Sequence, residues 1–157
     1  MNKTNAMRLL DAAGIPYSYA EYEFDDTDLI GMHAAAETGM DPDRAFKTLV
    51  ARGDKKGILV FCIPVSCTLD LKKAAQAAGD KKVEMIRMKE LLGLTGYIRG
   101  GCSPIGMKKK YPTFIDETAG LYDEIGISAG ARGLQLILSP EQLMEYADMT
   151  PADLVEY

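Results

Sequence analysis

Phe46-Lys47-Thr48-Leu49-Val50-Ala51-Arg52-Gly53-Asp54-Lys55-Lys56-Gly57-Ile58-Leu59-Val60-Phe61-Cys62-Ile63 is the stretch that decides how this chain folds. Two apolar segments, Phe46–Ala51 and Ile58–Ile63, flank a polar turn bounded by glycines, the pattern of a β-hairpin. Alternation puts Phe46, Thr48 and Val50 on one face and Lys47, Leu49 and Ala51 on the other. Lys47 thus sits in a segment otherwise bound for the core. A lysine there either snorkels its ammonium to water or faces a cavity, where it can neutralise a phosphate or a developing oxyanion.

Helices and strands alternate on both sides of this hairpin. Residues 4–13 read as a helix capped by Thr4 and stopped by Gly14, with Leu9, Leu10 and Ala13 on one face. Residues 17–23 suggest a strand, and Asp28 to Gly39 a second helix. Asp41-Pro42-Asp43 is a turn or the start of a short helix. Asp70–Ala78 reads as a helix stopped by Gly79, Val83–Ile86 as a short strand, and Met88–Leu92 as a short helix ended by Gly93. Phe114–Asp116, Ile125–Ile127 and Leu134–Leu138 read as strands. Ser139, Pro140 and Gln142 mark the start of the last helix. Hairpin-length connections dominate, so the expected fold is α/β, with a mixed, largely antiparallel, partly barrel-like sheet and flanking helices.

The 157 residues are 47% hydrophobic and 26% charged, which suits one globular domain, 1–157, and argues against disorder. No apolar run reaches the ~20 residues of a membrane span. Residues 1–5 lack the apolar stretch of a signal peptide, so the expected location is cytoplasmic. Cys62, Cys67 and Cys102 form no CxxC pair and read as reduced thiols, Cys62 as a core residue. His33 is the single histidine, so neither a histidine-rich metal site nor a second histidine base is available. No metal or cofactor is expected.

The net charge of −5 argues against a broad nucleic-acid surface. Lys55-Lys56, Lys72-Lys73, Lys81-Lys82 and Lys108-Lys109-Lys110 are nonetheless clustered. Each is a solvated turn or helix face on its own. Gathered by the fold, two or three of them form a patch for phosphates.

Two glycine-rich loops remain, Gly100-Gly101-Cys102-Ser103-Pro104-Ile105-Gly106 and Ser128-Ala129-Gly130-Ala131-Arg132-Gly133. Adjacent glycines let backbone N–H groups approach a carboxylate, a phosphate or an oxyanion closely. Equally, both loops are readable as tight turns. Neither matches a dinucleotide or P-loop pattern.

Phe46-Lys47-Thr48-Leu49, Leu69-Asp70-Leu71-Lys72-Lys73-Ala74-Ala75, Lys82-Val83-Glu84-Met85, Thr95-Gly96-Tyr97-Ile98-Arg99-Gly100-Gly101-Cys102-Ser103-Pro104-Ile105-Gly106, Pro112-Thr113-Phe114-Ile115-Asp116 and Ser128 to Leu134 together resemble, in order, the YbaK/EbsC family. These are trans-editing aminoacyl-tRNA deacylases related to the editing domain of bacterial prolyl-tRNA synthetase. The likeness is greatest to the Cys-tRNA(Pro) deacylase branch. It implies removal of a wrongly attached amino acid from tRNA(Pro), with the acceptor end as substrate and prolyl-tRNA synthetase as partner. By the same resemblance Lys47 holds and polarises the 3′-terminal aminoacyl-adenosine. Gly100 and Gly101 bring backbone donors to the aminoacyl group, Tyr22 and Ser128 belong to the pocket, and Thr48 is a pocket wall.

Four positions depart from the family pattern. Ile30 replaces a phenylalanine, Gln135 an aspartate, Cys102 an aliphatic residue and Ala131 a basic one. Ile30 and Gln135 bear on which amino acid is removed. The resemblance further implies that the substrate's own cysteine thiol attacks its carbonyl. The alternatives are a deacylase for another amino acid such as alanine, or a binding module without hydrolysis.

Overall fold

The computed structural model describes residues 2–23 and 39–156. The expected helix from Asp28 toward Gly39, with Ile30 and His33, lies almost wholly outside them. Helix α1, Asn5–Ala13, is capped by Thr4 Oγ1, which accepts from Met7 N, and ends at Gly14 with φ 72°. Its buried face is Ala6, Met7 and Leu10; Ala13 is exposed, because the core lies a turn further back than the spacing of Leu9, Leu10 and Ala13 suggests. Strand β1, Tyr17–Glu21, follows and stops short of Tyr22.

The hairpin forms as expected, with β2 at Phe46–Gly53 and β3 at Gly57–Pro64. Its register runs from Phe46↔Pro64 to Gly53↔Gly57. Gly57 takes φ 76°, the left-handed residue that closes a three-residue hairpin loop. Helix α2, Leu71–Ala78, is capped by the Asp70 carboxylate. Strand β4, Val83–Met85, precedes a 3₁₀ turn, Met88–Glu90, and helix α3, Leu91–Thr95. Gly93 does not end that helix. The chain runs through it and turns at Gly96, φ 84°, where a left-handed residue is needed.

Strands β5, Thr113–Asp116, β6, Ile125–Ala131, and β7, Leu134–Leu138, lead to helix α4, Pro140–Ala147. A last strand, β8, Met149–Ala152, carries no strand signal in the sequence. It holds Pro151 and lies at the sheet edge, where a missing N–H is tolerated.

Two sheets result, β1-β7-β6 and β4-β2-β3-β5-β8. The first is antiparallel. In the second, β4, β2 and β3 pair antiparallel, and β3-β5 and β5-β8 pair parallel. A parallel bridge, Ala45↔Gly126, ties the sheets together. Barrel-like closure is limited, among the described residues, to this bridge. One core packs α1, β6, β7 and α4 against Phe46, Cys62 and Ile115. The other packs α2 against Ala51, Leu59, Phe61 and Ile63, with the Phe61 and Phe114 rings stacked at 5.4 Å. The hairpin is therefore covered on both faces. No described helix is long and apolar enough to cross a membrane.

Candidate functional site

The site grows from the point where β2 and β6 part. Gly126 N donates to Arg44 O at 2.9 Å, and Ile86 N donates to Val50 O at 3.3 Å. These two bonds fix the parity of the outer edge of β2. Even-numbered residues from Arg44 to Val50 aim their backbone polar groups at that edge. Between the two bonds no described strand pairs with β2, so the Thr48 N–H and C=O are directed at an edge with no described strand opposite.

Side chains on β2 divide as alternation requires. Thr48 turns to the face of the first core, its hydroxyl 3.6 Å from Cys62 Sγ. Lys47 turns to the other face, where its ammonium feels Cys67. Alternation from the parallel Ala45↔Gly126 bridge gives Lys47 and Ser128 the same face of their strands. Phe46 and Ile127, one step earlier, both enter the first core, as this register demands.

Lys47 is half-buried and has no ion-pair partner among the described residues. Burial pushes its ammonium below the ordinary lysine value, and the nearby Cys67 only partly opposes this. An unpaired, partly desolvated cation is suited to receive an anionic or polarised oxygen.

The β6–β7 hairpin supplies the opposite wall. Ile125, Ile127, Leu136 and Leu138 face the core. Gly126, Ser128 and Gln135 therefore share the other face, with Ser128 and Gln135 cross-strand partners. Ser128 Oγ accepts from Gly130 N at 3.1 Å, which shapes the bulge beyond it. Tyr22 N donates to Gly133 O at 2.9 Å, and its position continues the face that carries Ala20 and Gln135.

The Gly100–Gly106 loop closes against the tip of this hairpin. Arg132 Nε donates to Arg99 O at 2.8 Å. A Cβ on Gly101 would lie 3.2 Å from Arg132 N, so glycine is what allows the backbones to meet. Gly101 N–H is already committed to Ile98 O at 2.9 Å. Gly100, at φ 85°, is exposed, and its N–H has no described acceptor. Of the two glycines, Gly100 is the one with a donor to offer.

Tyr97 belongs to the glycine string, yet its spacing there signals no role of its own. Its hydroxyl donates to Ile105 O, and its ring lies against Gly130, where an added Cβ would be 3.0 Å from it. It braces one glycine loop on the other. Cys102 is a poor nucleophile at neutral pH, because burial pushes its thiol up to about 12. Cys62 is likewise pushed up to about 12 by burial. All three cysteines are free. Among the described residues no group of three or more His, Cys, Asp or Glu side chains is placed to hold a metal ion.

Alternation thus puts Lys47 on the face of β2 away from the first core, and Ser128, Gln135 and the position of Tyr22 on one face of the three-stranded sheet. Gly101 lies against the hairpin tip. Ile30 lies outside the described residues.

A relative from Enterococcus faecalis, named as a Cys-tRNA(Pro)/Cys-tRNA(Cys) deacylase, EbsC, is 46% identical over 153 residues, spanning 94% of this chain and 93% of its own length. A crystal structure of a trans-editing protein for prolyl-tRNA synthetase superposes with a TM-score of 0.84 at 25% identity, over 100% of both chains. The crystal structure of APE2540 shares the fold at a TM-score of 0.84 and 24% identity, covering 95% of this chain and 97% of that one. The family model for the aminoacyl-tRNA editing domain matches residues 31–146, and the chain belongs to that family.

Proposed function

We propose that residues 1–157 act as one cytoplasmic editing domain that removes cysteine from Cys-tRNA(Pro), in concert with prolyl-tRNA synthetase. The observation that carries this is Lys47: half-buried, without a described carboxylate partner, and on the strand that the Ala45↔Gly126 bridge ties to β6. The 46% identical relative named for Cys-tRNA(Pro) and Cys-tRNA(Cys) supports cysteine as the amino acid removed.

An aminoacyl ester is already activated. The site must hold it, offset charge on its carbonyl oxygen and admit a nucleophile. Lys47 supplies the cation for that oxygen, and Gly100 N–H a second donor. Ser128, Gln135 and Tyr22 line the pocket for the aminoacyl group. The nucleophile is the substrate's own thiolate. Having lost its proton to solvent, it attacks the ester carbonyl, the C–O bond to the terminal ribose breaks, and the departing ribose oxygen takes a proton from solvent to leave as a hydroxyl. The cysteinyl thiolactone then opens in water. Intramolecular attack can reach an effective molarity of ~10⁵ M or more when well oriented. The route needs no protein nucleophile, which fits thiols held up near 12 at Cys62 and Cys102.

Chemistry also supplies selectivity. A pocket distinguishes one methylene or hydroxyl by only about 1–3 kcal/mol. A mechanism that requires the thiol rejects serine and alanine outright. The test is release of amino acid from Cys-tRNA(Pro), Ser-tRNA(Pro), Ala-tRNA(Pro) and Pro-tRNA(Pro), with and without the synthetase. Release of cysteine alone is expected. Release of alanine or serine would move the nucleophile to water or a ribose hydroxyl. Binding without release would leave a recognition module.

A further inference from the structure

Asp80 gathers residues that lie far apart in the sequence. Its carboxylate accepts from Lys56 N at 2.8 Å, Lys55 N at 3.1 Å and Lys81 N at 2.6 Å. Asp54 N adds a bond to Lys82 O at 2.9 Å. The tip of the β2–β3 hairpin is thereby clipped to the turn before β4. Gly53 is part of the fit, since a Cβ there would meet Asp80 Oδ2 at 2.2 Å. Two of the four lysine clusters are thus brought to one corner at the β4 edge of the five-stranded sheet.

The other two clusters are elsewhere and partly engaged. Lys73 pairs with Asp153 at 3.1 Å, and Lys110 with Asp148 at 3.4 Å. At the corner, Lys82 pairs with Glu84 at 2.9 Å, while Lys55, Lys56 and Lys81 are exposed and form no ion pair among the described residues. Asp80 turns its charge onto backbone N–H groups and leaves the lysine side chains outside. Arg52 is held by Glu90 at 2.7 Å, and Arg87 and Lys89 continue the exposed stretch. Met85 and Met88, exposed by 44% and 56%, interleave with these cations. A locally basic, partly apolar surface on a chain of net charge −5 is what a ribose-phosphate strand fits.

We propose that the corner of Lys55, Lys56 and Lys81, gathered by Asp80, grips the backbone of the tRNA acceptor stem. The inference rests on tRNA being the substrate. Gly53 lies six steps beyond Lys47 along β2, roughly 20 Å of strand. At ~3.4 Å per stacked nucleotide that is about six steps, so the phosphates gripped belong to the stem and not to the terminal adenosine.

The experiment compares wild type with Lys55→Gln/Lys56→Gln/Lys81→Gln, and with Lys72→Gln, from a cluster that Asp80 does not gather, as a control. Two readouts are taken. The first is the salt dependence of uncharged tRNA(Pro) binding. The second is kcat and KM on full-length Cys-tRNA(Pro) and on the cysteinyl ester of its terminal trinucleotide. The expected result is a binding slope shallower by ~0.7–0.9 for each phosphate the variant no longer neutralises, and a KM for full-length tRNA raised about tenfold. Turnover of the trinucleotide ester stays at the wild-type value, and the control matches wild type throughout. An unchanged slope and KM would overturn the proposal. So would loss of trinucleotide turnover, because the lysines would then be shaping the site itself. A wild-type protein that releases nothing, yet shows the altered slope in the variant, would sink the deacylase reading and leave the corner standing.

Discussion

The Gln135 amide fills the space where any residue but glycine at position 126 would carry its Cβ: the two would be 2.7 Å apart. Gly126 also donates the bond to Arg44 that joins the sheets. One small residue therefore sets both the junction and the placement of a buried polar side chain beside Ser128.

Gly126→Ala moves the flexible end of Gln135 and not the backbone. The stability loss is expected near the low end for overpacking, about 1 kcal/mol. Selectivity responds more than stability. The ratio of kcat/KM for Cys-tRNA(Pro) over Ala-tRNA(Pro) falls in the variant. An unchanged ratio would detach Gln135 from recognition.

Gly101 and Gly93 make a contrasting pair. A Cβ on Gly101 meets the backbone of Ala131 and Arg132 at 3.3 and 3.2 Å, and backbone cannot step aside. Gly101→Ala should cost about 1–3 kcal/mol and lower kcat/KM, because the loop is displaced from the hairpin tip. Gly93 sits inside α3 with nothing within 4 Å of an added Cβ. Gly93→Ala should stabilise by about 0.5–1 kcal/mol and leave turnover unchanged. Thermal melts and single-turnover rates on both variants check this.

The local features of the fold are legible in the sequence alone. Gly53 and Gly57 bracket the hairpin, Asp70 and Ser139 cap their helices, and the placement of Lys47 follows from simple alternation. What escapes a sequence reading depends on partners far along the chain. The parallel pairing of β8 on β5 makes Met149–Ala152 a strand despite Pro151. Helix α3 runs through Gly93 and ends at Gly96, where the left-handed turn is made. The family resemblance makes Thr48 a pocket wall, and only the bonds at Arg44 and Val50 reveal that its backbone is directed at the outer edge of β2. The clip at Asp80 joins residues some 25 positions apart, and no local pattern announces it.

Arg52 clamps Glu90 through two contacts, and Arg87 N adds a third at 2.9 Å. The Arg52 guanidinium, with that N–H, holds the carboxyl down to about 2. A carboxyl depressed in the folded state stabilises fully above its unfolded value. That contribution declines as pH falls below the unfolded value and is gone below the folded one. Glu90→Gln is therefore expected to be less stable than wild type at neutral pH, with the gap closing as pH falls toward 2. Urea midpoints measured down the acid range would contradict this if the gap stayed constant.

Burial depresses the Lys47 ammonium in the folded state, so its charge opposes folding at neutral pH. As with Glu90, stability rises with pH between the folded and unfolded values, but here a penalty is relieved: the buried charge that opposes folding is shed as pH climbs through the folded value toward the unfolded one. Lys47→Met should match or exceed wild type in Tm at pH 7. NMR titration of the Lys47 side chain should show a midpoint below the ordinary lysine value. A less stable Lys47→Met protein would mean that the lysine is held for structure.

The central claim, that Lys47 is the group on which deacylation turns, is tested most directly by one rate. Single-turnover release of cysteine from Cys-tRNA(Pro) is measured for wild type and for Lys47→Ala at saturating protein. Loss of an oxyanion stabiliser predicts a fall of roughly 10²-fold or more with the fold intact. Release at the wild-type rate would contradict the account.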